Sequence, residues 1–405
     1  MADTLPRLRM DLDLMPSPVP DRPGLLMRDP YHYSEAALIV PPLLVQCLHL
    51  FDGQSSETDL RAQLLELTGD LRVGEIIAGL RKSLSDAGFL DDETYASLKG
   101  RCHEAFSAAS IREPLLAGEG YPGVRDELAA MLAGWLPKEP PTSNGLVGIA
   151  APHASLEPAA TCYGDAYGSL AADLRDRTFI ILGTSHYGEP ERFGLTRKSF
   201  VTPLGQTRTN TALVDELEKA GGGAVKMEDY CHAVEHSIEF QVLFLQQLFG
   251  GDVRIVPVLC GPFAHSIYEG GKPEDDDNVR RFLGGLGEIA AREAARLFWV
   301  LGIDMAHMGR RYGDPFEAQM GEPAMEEVAE ADRRRIGHLE SGDARGFWSA
   351  VQENRDSLKW CGSSPLYTFL SAVPQARGKL LRYGQWNIDD ASAVTFGAME
   401  FRGRS

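Results

Sequence analysis

Three stretches decide the fold of this chain: GLVGIAAPH at 145–153, TFIILGTSH at 178–186 and RLFWVLGID at 296–304. Each is a continuous apolar run that leads through a small-residue turn into a histidine or an aspartate. Apolar runs without alternation are typical of parallel strands that are covered on both faces. In such sheets, ligands bind at the carboxyl ends of the strands. We therefore expect the side chains that end these stretches to share one edge of a parallel sheet.

The chain beyond this first stretch alternates predicted strands with predicted helices. That order is typical of βαβ units, so we predict an α/β domain over 118–405, with a largely parallel central sheet flanked by helices. The segment KLLRYGQWNIDDASAVTFGAMEF at 379–401 predicts two terminal strands joined by a turn. The other predicted strands are 146–151, 178–182, 253–259 and 297–301, and the predicted helices lie around 159–177, 211–220, 237–249, 279–294, 325–342 and 343–355.

The N-terminal part has a different pattern. Between residues 31 and about 108, apolar residues recur at helical spacing with short polar breaks. Ser56 and Asp59 resemble a capping box, and Gly69 stands where the C-terminal glycine of a helix belongs. We predict a mainly helical N-terminal domain over 1–110 that resembles a winged-helix domain.

Composition excludes several classes of function. The 405 residues are 43% hydrophobic, as in soluble globular proteins, and carry a net charge of −18, which argues against binding to duplex nucleic acid. The six cysteines form no CxxC pair, which indicates a reducing compartment without a disulfide framework. No run approaches the roughly 18 apolar residues of a membrane span, and the N-terminus does not resemble a signal peptide. We expect a cytoplasmic protein that binds neither membranes nor nucleic acid.

The strand ends supply candidate metal ligands. His153 and His186 each follow a predicted strand, and the third strand leads into Asp304 and, within DMAHMG, into His307. Imidazole and carboxylate groups together suit non-haem iron, zinc or copper. Two histidines and one carboxylate that leave open positions also form the facial arrangement used to activate oxygen. We predict that these four residues bind a divalent metal.

A second titratable cluster lies in YCHAVEHSIEFQ at 230–241. At about 100° per residue, its two histidines and two glutamates would share one face of a helix. We predict acid–base or supporting roles for His232, His236 and Glu239 beside the histidine pair. The same segment contains H-x-x-E-H, the inverted zincin motif, and this motif predicts a metallopeptidase as the alternative.

Cys361 lies in KWCGSSPLYTFL at 359–370, just before a proline that suits the first turn of a helix. A thiol at a helix N-terminus can be acidified. A buried, inert cysteine explains the same pattern equally well, so the sequence leaves both interpretations open.

Seven motifs resemble those of the MEMO family, whose bacterial members are often called AmmeMemoRadiSam system protein B. The resemblance covers about 118–405, roughly 70% of the chain, and leaves the N-terminal part outside it. The motifs occur in the family's order: APHA at 151–154, LGTSH at 182–186, TPLG at 202–205, HAVEHSIEFQ at 232–241, GIDMAHMG at 302–309, CGSSP at 361–365 and the YGQ…S.V.FGA tail at 383–398.

The resemblance carries implications for fold, metal and partners. The family fold is similar to that of the class III non-haem iron extradiol dioxygenases of LigB type. The family's metal-site histidines fall on His153 and His186, and its cysteine ligand falls on Ala306. The resemblance thus implies a site without that thiolate, in which Asp304 and His307 take its place. It also implies partnership with an AMMECR1-like protein and a radical SAM enzyme.

Two functions are compatible with these observations. The first is metal-dependent redox or dioxygenase-like chemistry, in a cleft at the strand ends, with iron, zinc or copper as the metal. The alternative is a non-catalytic scaffold that binds a metal or a peptide and works with the AMMECR1-like and radical SAM partners.

Overall fold

The computed structural model describes residues 4–139, 141 and 145–403. The chain divides into two compact units, Met1–Ala108 and Ala109–Ser405. None of the helices in the described part of the chain is long and apolar enough to cross a membrane.

The N-terminal unit begins with a three-stranded antiparallel sheet of order β1–β2–β3. The strand over 37–40 lies in a stretch that the sequence pattern predicts as helical. That prediction is wrong, because Ile39 and Val40 are β-branched and the prolines that follow disfavour helical geometry in the residue before them. The elements of this unit are β1 (Asp13–Pro16), β2 (Leu25–Arg28), β3 (Ala37–Val40), α1 (Pro42–Val45), α2 (Glu57–Thr68), α3 (Gly74–Asp86) and α4 (Glu93–Ala108).

The predicted start and end of α2 are confirmed. The Ser56 side chain accepts a hydrogen bond from the backbone N–H of Asp59, and the Asp59 carboxylate accepts one from the N–H of Ser56. Gly69 ends the helix with φ 67°, a left-handed conformation that glycine adopts without steric cost.

Replacing Ser56 with alanine leaves the backbone N–H of Asp59 without its side-chain acceptor. We expect Ser56→Ala to lower the free energy of unfolding of this unit by about 1 kcal/mol. Chemical denaturation followed by circular dichroism measures the loss, and Ser56→Thr, which retains a capping hydroxyl, is the control. Equal stability of all three proteins would show that the cap contributes nothing.

The second unit contains the remaining elements. Its strands are β4 (Ile111–Arg112), β5 (Leu146–Ala151), β6 (Thr178–Thr184), β7 (Phe193–Leu195), β8 (Ser199–Thr202), β9 (Gly205–Gln206), β10 (Arg208–Thr209), β11 (Val225–Met227), β12 (Arg254–Cys260), β13 (Leu297–Gly302), β14 (His307–Gly309), β15 (Ala376–Asp389) and β16 (Ser392–Gly403). Its helices are α5 (Arg125–Trp135), α6 (Ala160–Gly168), α7 (Thr211–Gly221), α8 (Cys231–Val234), α9 (Glu239–Phe249), α10 (Ala264–Glu269), α11 (Asp277–Arg292), α12 (Pro323–Ser341), α13 (Ala344–Gln352) and α14 (Ser363–Ala372).

A ten-stranded sheet forms the centre of this unit. Its main path is β11–β7–β12–β6–β13–β5–β16–β14, while β10 pairs with β12 and β15 pairs with β16. The neighbours β12, β6, β13 and β5 run parallel, and the terminal hairpin of β15 and β16 adds antiparallel strands. The predicted α/β fold, with a mostly parallel central sheet flanked by helices, is confirmed.

Both faces of the sheet are covered by hydrophobic cores. In β6, Ile180 and Leu182 pack into one core, to which α7, α11, α13 and α14 contribute. Phe179 and Ile181 point into the opposite core with α5, α6 and α9. This double coverage explains why the central strands are apolar along most of their length.

Candidate metal centre

The sheet brings the histidine and aspartate strand ends together. His153 follows β5, His186 follows β6, and Asp304 follows β13, which lies between β5 and β6 in the sheet. The rings of His153 and His186 are 5.0 Å apart, centroid to centroid, and nearly perpendicular. The sequence pattern alone therefore locates this edge of the sheet.

His236 is the third histidine at this edge. Its ring centroid lies 5.4 Å from those of both His153 and His186, and it is parallel to His186 within 3°. Among the described residues, one nitrogen from each of the three imidazoles lies within 4.8 Å of the other two, which is close enough for a shared metal ion. This side chain was predicted as an acid–base group, and the structure places it among the candidate ligands.

A buried carboxylate orients His186. Nδ1 of His186 donates to Glu235 Oε2 at 3.0 Å, and the backbone N–H of His186 donates to the same oxygen at 2.8 Å. Because Nδ1 is occupied, Nε2 is the ring nitrogen left for a metal. Histidines that bind metals are commonly oriented by a carboxylate in this way.

His153 is oriented by backbone and carboxylate groups. Its Nδ1 donates to the carbonyl oxygen of Gly302 at 3.0 Å, and its backbone N–H donates to Asp304 Oδ1 at 3.0 Å. Nε2 faces the Cys361 sulfur at 3.3 Å and Asp304 Oδ2 at 3.6 Å. The Nε2 atom of this ring is thus directed toward a thiol and a carboxylate.

Cys361 supplies a thiol that the family resemblance had assigned to position 306. Its side chain contacts both His153 and His186. Ala306 instead lies fully buried in a hydrophobic core, and its backbone pairs with Thr395. A thiol therefore lies beside the histidines, and it comes from the turn before α14 and not from the DMAHMG segment.

The charges around His153 and Cys361 shift the pKa values of both side chains in opposite directions. Burial opposes a charge on His153, but Asp304 and Cys361 outweigh it and raise the pKa of His153 to about 9. Burial would raise the pKa of the Cys361 thiol, yet the imidazoles of His153 and His307 hold it well below its usual value. The thiol–imidazole contact therefore favours a thiolate beside a protonated imidazole, and metals bind the thiolate form.

His236 differs from His153 and His186 in the direction in which its pKa is shifted. Burial lowers the pKa of His236 to about 4, even though the nearby Glu235 opposes the shift. Its side chain is 29% exposed, and its Nδ1 lies 3.4 Å from Glu235 Oε1. The lowered pKa favours the neutral imidazole, which is the form that binds metals.

Asp304 and His307, the other two predicted ligands, line the same cavity but lie outside the three-histidine group. Asp304 Oδ1 accepts the backbone N–H groups of both His153 and Ala154, so this carboxylate fixes the turn that carries His153. His307 Nδ1 lies 3.0 Å from the carbonyl oxygen of Met305, and its ring packs edge-on against Tyr312.

The predicted single helix over His232 and Glu239 is interrupted. The helix α8 ends at Val234, Glu235 is extended (φ −102°, ψ 134°), and α9 begins at Glu239. The interruption turns these side chains in different directions, so the prediction of one shared helix face is wrong. Among the described residues that line the cavity, neither His232 nor Glu239 is found.

His232 and Glu239 instead take part in buried contacts. Burial lowers the pKa of His232 to about 4, and its Nε2 lies 3.0 Å from the carbonyl oxygen of Gly194. The Glu239 carboxylate pairs with the buried Arg112 and accepts the Tyr121 hydroxyl. Such buried contacts are typical of side chains that stabilise the fold and not of side chains that contact a reacting molecule.

Two glycines explain how the interrupted segment reaches the sheet. A Cβ atom at Gly183 or Gly302 would collide with Ser237, so a side chain at either strand end would push the segment away. The Ser237 hydroxyl donates to the carbonyl oxygen of Thr184 at 2.8 Å, which fixes the close approach. The Glu235 carboxylate also accepts the N–H groups of His236 and Ser237. This turn places Glu235 beneath His186 and His236 at the cavity.

A cavity of about 710 Å³ adjoins the candidate ligands. Its size matches that of sites for small organic molecules. Its walls combine the histidines and Asp304 with aromatic rings and one exposed cation, namely Tyr187, Phe240, Tyr312, Trp386 and Arg311.

Sequence reasoning missed the contributions of two residues at this centre. For Cys361, the sequence showed only a thiol just before a helix. Its contact with His153 could not be predicted, because the two residues lie 208 positions apart in the chain. Arg112 carried no signal, yet its guanidinium donates to the carbonyl oxygens of His232 and Glu235.

The chain is similar to proteins of one family. The model of the family described as "Memo-like protein" matches residues 112–400. The MEMO1 family protein of Aquifex aeolicus is 26% identical over 93% of this chain and 95% of its own length. Those of Thermococcus kodakarensis and Thermoplasma acidophilum are 29% and 32% identical, cover 67% and 69% of this chain, and are matched over 92% and 93% of their own lengths. This chain therefore belongs to the Memo-like family.

Proposed function

We propose that this chain binds a divalent metal through His153, His186 and Cys361, and that the centre carries out redox chemistry on a small molecule held in the adjoining cavity. The observation that carries the proposal is the orientation of the two imidazoles. Each has its Nδ1 engaged, by Gly302 in one case and by Glu235 in the other, and Cys361 contacts both rings.

The donor set fits the metals expected from the sequence. A thiolate and two imidazoles suit zinc, copper(I) and iron, and they do not suit magnesium or calcium, which prefer oxygen ligands. Asp304 adds a negative charge 3.6 Å from His153 Nε2, which helps to balance a metal cation. A bound iron or copper ion would supply the electron-transfer chemistry that these side chains lack.

The protein's own groups hold and move protons around this centre. Glu235 keeps the proton of His186 on Nδ1, and Asp304 fixes the backbone that carries His153. His236 lines the cavity with a partly exposed side chain, and in the neutral form that its lowered pKa favours it can accept a proton from an acidic group of a bound molecule. The aromatic rings of Phe240 and Trp386 exclude water from part of the cavity wall.

Cobalt(II) titration tests the metal site. We expect the wild type to bind cobalt(II) with a near-ultraviolet absorption band from a sulfur–cobalt bond, since Cys361 supplies the thiolate. In Cys361→Ser the band disappears, and affinity falls by roughly a factor of ten or more. Cys102→Ser, which removes the other half-buried cysteine, is the matched control and should leave the absorption band and the cobalt(II) affinity unchanged.

Several outcomes decide the proposal. A wild type that binds no cobalt(II), or a Cys361→Ser protein that binds it equally well, overturns the assignment. Adding Ala306→Cys to Cys361→Ser should not restore the band, because position 306 is buried in the core. His236→Gln should retain the band, and loss of binding there would make His236 a ligand and not a proton acceptor.

The partnership with an AMMECR1-like protein and a radical SAM enzyme stays a prediction from the family resemblance. The scaffold alternative stays open in the same way. A metal-loaded protein that transfers no electrons to dioxygen or to a chemical oxidant would favour it.

A further inference from the structure

The N-terminal unit carries an edge strand that contains no charged residue and no proline. The sheet order makes β1 and β3 the two edges. The edge strand β1, with sequence DLMP, contains a charged residue and a proline, both of which discourage further strand pairing. The edge strand β3 reads ALIV and has neither. In the part of the chain that the structure describes, its outer edge pairs with no further strand.

An apolar groove runs along this edge. It has a volume of about 310 Å³ and lies between β3 and α3. Its walls are mainly aliphatic, and one of them, Ile76, is 40% exposed. The lining residues are Leu38, Ile39, Val40, Pro41, Leu44, Ile76, Gly79, Leu80, Ser83 and Leu84.

Gly79 marks the helix side of the groove. It lies in the interior of α3, where glycine is less favourable than alanine. A Cβ at this position would meet no atom within 4 Å, so packing inside the unit does not require a glycine. A glycine here leaves room for a backbone that approaches the helix from outside.

The charged residues around the groove indicate which kind of peptide segment can bind there. The unit holds 17 acidic and 10 basic residues, counted over 1–108. The cations of α3 are neutralised, since Lys82 pairs with Asp86 and Arg81 lies 3.8 Å from Glu57. Glu35, just before β3, has an 87% exposed side chain, and Glu75 is exposed beside Ile76. The surroundings of the groove are therefore net negative.

We propose that this groove binds an extended peptide segment of a partner protein, one with alternating apolar side chains and flanking lysine or arginine residues. The peptide adds to β3 as a fourth strand, so its backbone pairs with the free edge. Its inward side chains fill the space over Gly79 and Leu80, and its basic ends face Glu35 and Glu75.

The test uses the full chain and a random library of short peptides displayed on messenger RNA. We expect the wild type to enrich basic peptides with alternating apolar residues. A fluorescently labelled enriched peptide should bind about tenfold more weakly, or worse, to Gly79→Phe, whose ring occupies the groove. Gly100→Phe is the matched control, because Gly100 is also a helical glycine with an open Cβ position and lies in α4.

Thermal unfolding and a second pair of variants distinguish a loss of peptide binding from a loss of folded structure. Phenylalanine is a better helix former than glycine, so Gly79→Phe should unfold at a temperature no lower than the wild type. Ile76→Asp should weaken binding by a similar factor, because a bound apolar side chain would have to bury the new carboxylate. Leu71→Asp is its control, since Leu71 is 81% exposed and lies outside the groove.

Three outcomes overturn the proposal. The first is a library that yields no enriched peptide, and the second is an enriched peptide that binds Gly79→Phe and the wild type equally. The third is a concentration-dependent dimer in sedimentation that Gly79→Phe abolishes, which would make a second copy of this chain the occupant of the groove.

Discussion

Arg112→Ala is expected to lower the free energy of unfolding by about 3–5 kcal/mol, because it leaves the Glu239 carboxylate buried without its cation. Both side chains are fully buried. The guanidinium also donates to the carbonyl oxygens of His232 and Glu235 at 2.8 Å, so three buried acceptors lose a partner together. Chemical denaturation monitored by tryptophan fluorescence measures the change.

A matched arginine and a double variant separate this effect from the loss of a side chain. Arg125 lies in the first turn of α5 and is exposed, so Arg125→Ala should change stability by no more than about 0.5 kcal/mol. The Arg112→Met, Glu239→Gln double variant holds no unpaired charge and should lose less than the sum of the two single variants. An Arg112→Ala protein as stable as Arg125→Ala would mean that the pair contributes nothing.

Glu235→Gln is expected to weaken metal binding by roughly 10–100-fold, the usual effect of losing the group that orients a metal-bound histidine. Glutamine keeps the shape of the side chain but removes the charge that holds the proton on His186 Nδ1. Cobalt(II) titration at fixed pH measures the affinity, and the absorption band of the sulfur–cobalt bond should persist, because Cys361 is unchanged.

Another buried glutamate supplies the control for this prediction. Glu191 is 3% exposed and contacts His265, which lies outside the candidate centre, so Glu191→Gln should bind cobalt(II) as tightly as the wild type. Thermal unfolding of both variants without metal reports any general loss of structure. If Glu235→Gln and Glu191→Gln bind cobalt(II) equally well, Glu235 does not position His186.

The sequence by itself determined the parallel strands at the centre of the sheet and the position of two candidate ligands. An apolar run followed by a small-residue turn is a local pattern, and parallel neighbours align their carboxyl ends. His153 and His186 could therefore be placed together without any knowledge of the tertiary structure. The capping box at Ser56 was predictable for the same reason, since its partner lies three residues away.

The orientation of the 230–241 segment was decided by the tertiary structure. Helical periodicity predicted one continuous helix, but it contains no information about the hydrogen bond from Ser237 to the carbonyl oxygen of Thr184. The absence of a Cβ at Gly183 and Gly302 leaves room for that contact. That contact interrupts the helix, sends His236 to the candidate ligands and leaves Glu239 with Arg112. Local propensity is a weak determinant where a close tertiary contact competes with it.

The remaining members of the centre come from distant parts of the chain. Cys361 reaches His153 across 208 residues, and Arg112 reaches Glu239 across 127. Periodicity and spacing describe neighbours along the chain and contain no information about such pairs. The sequence thus determined the sheet edge at which the candidate site forms, whereas only the packing of the elements decided which thiol and which carboxylate lie beside the histidines and which cation holds the 230–241 segment.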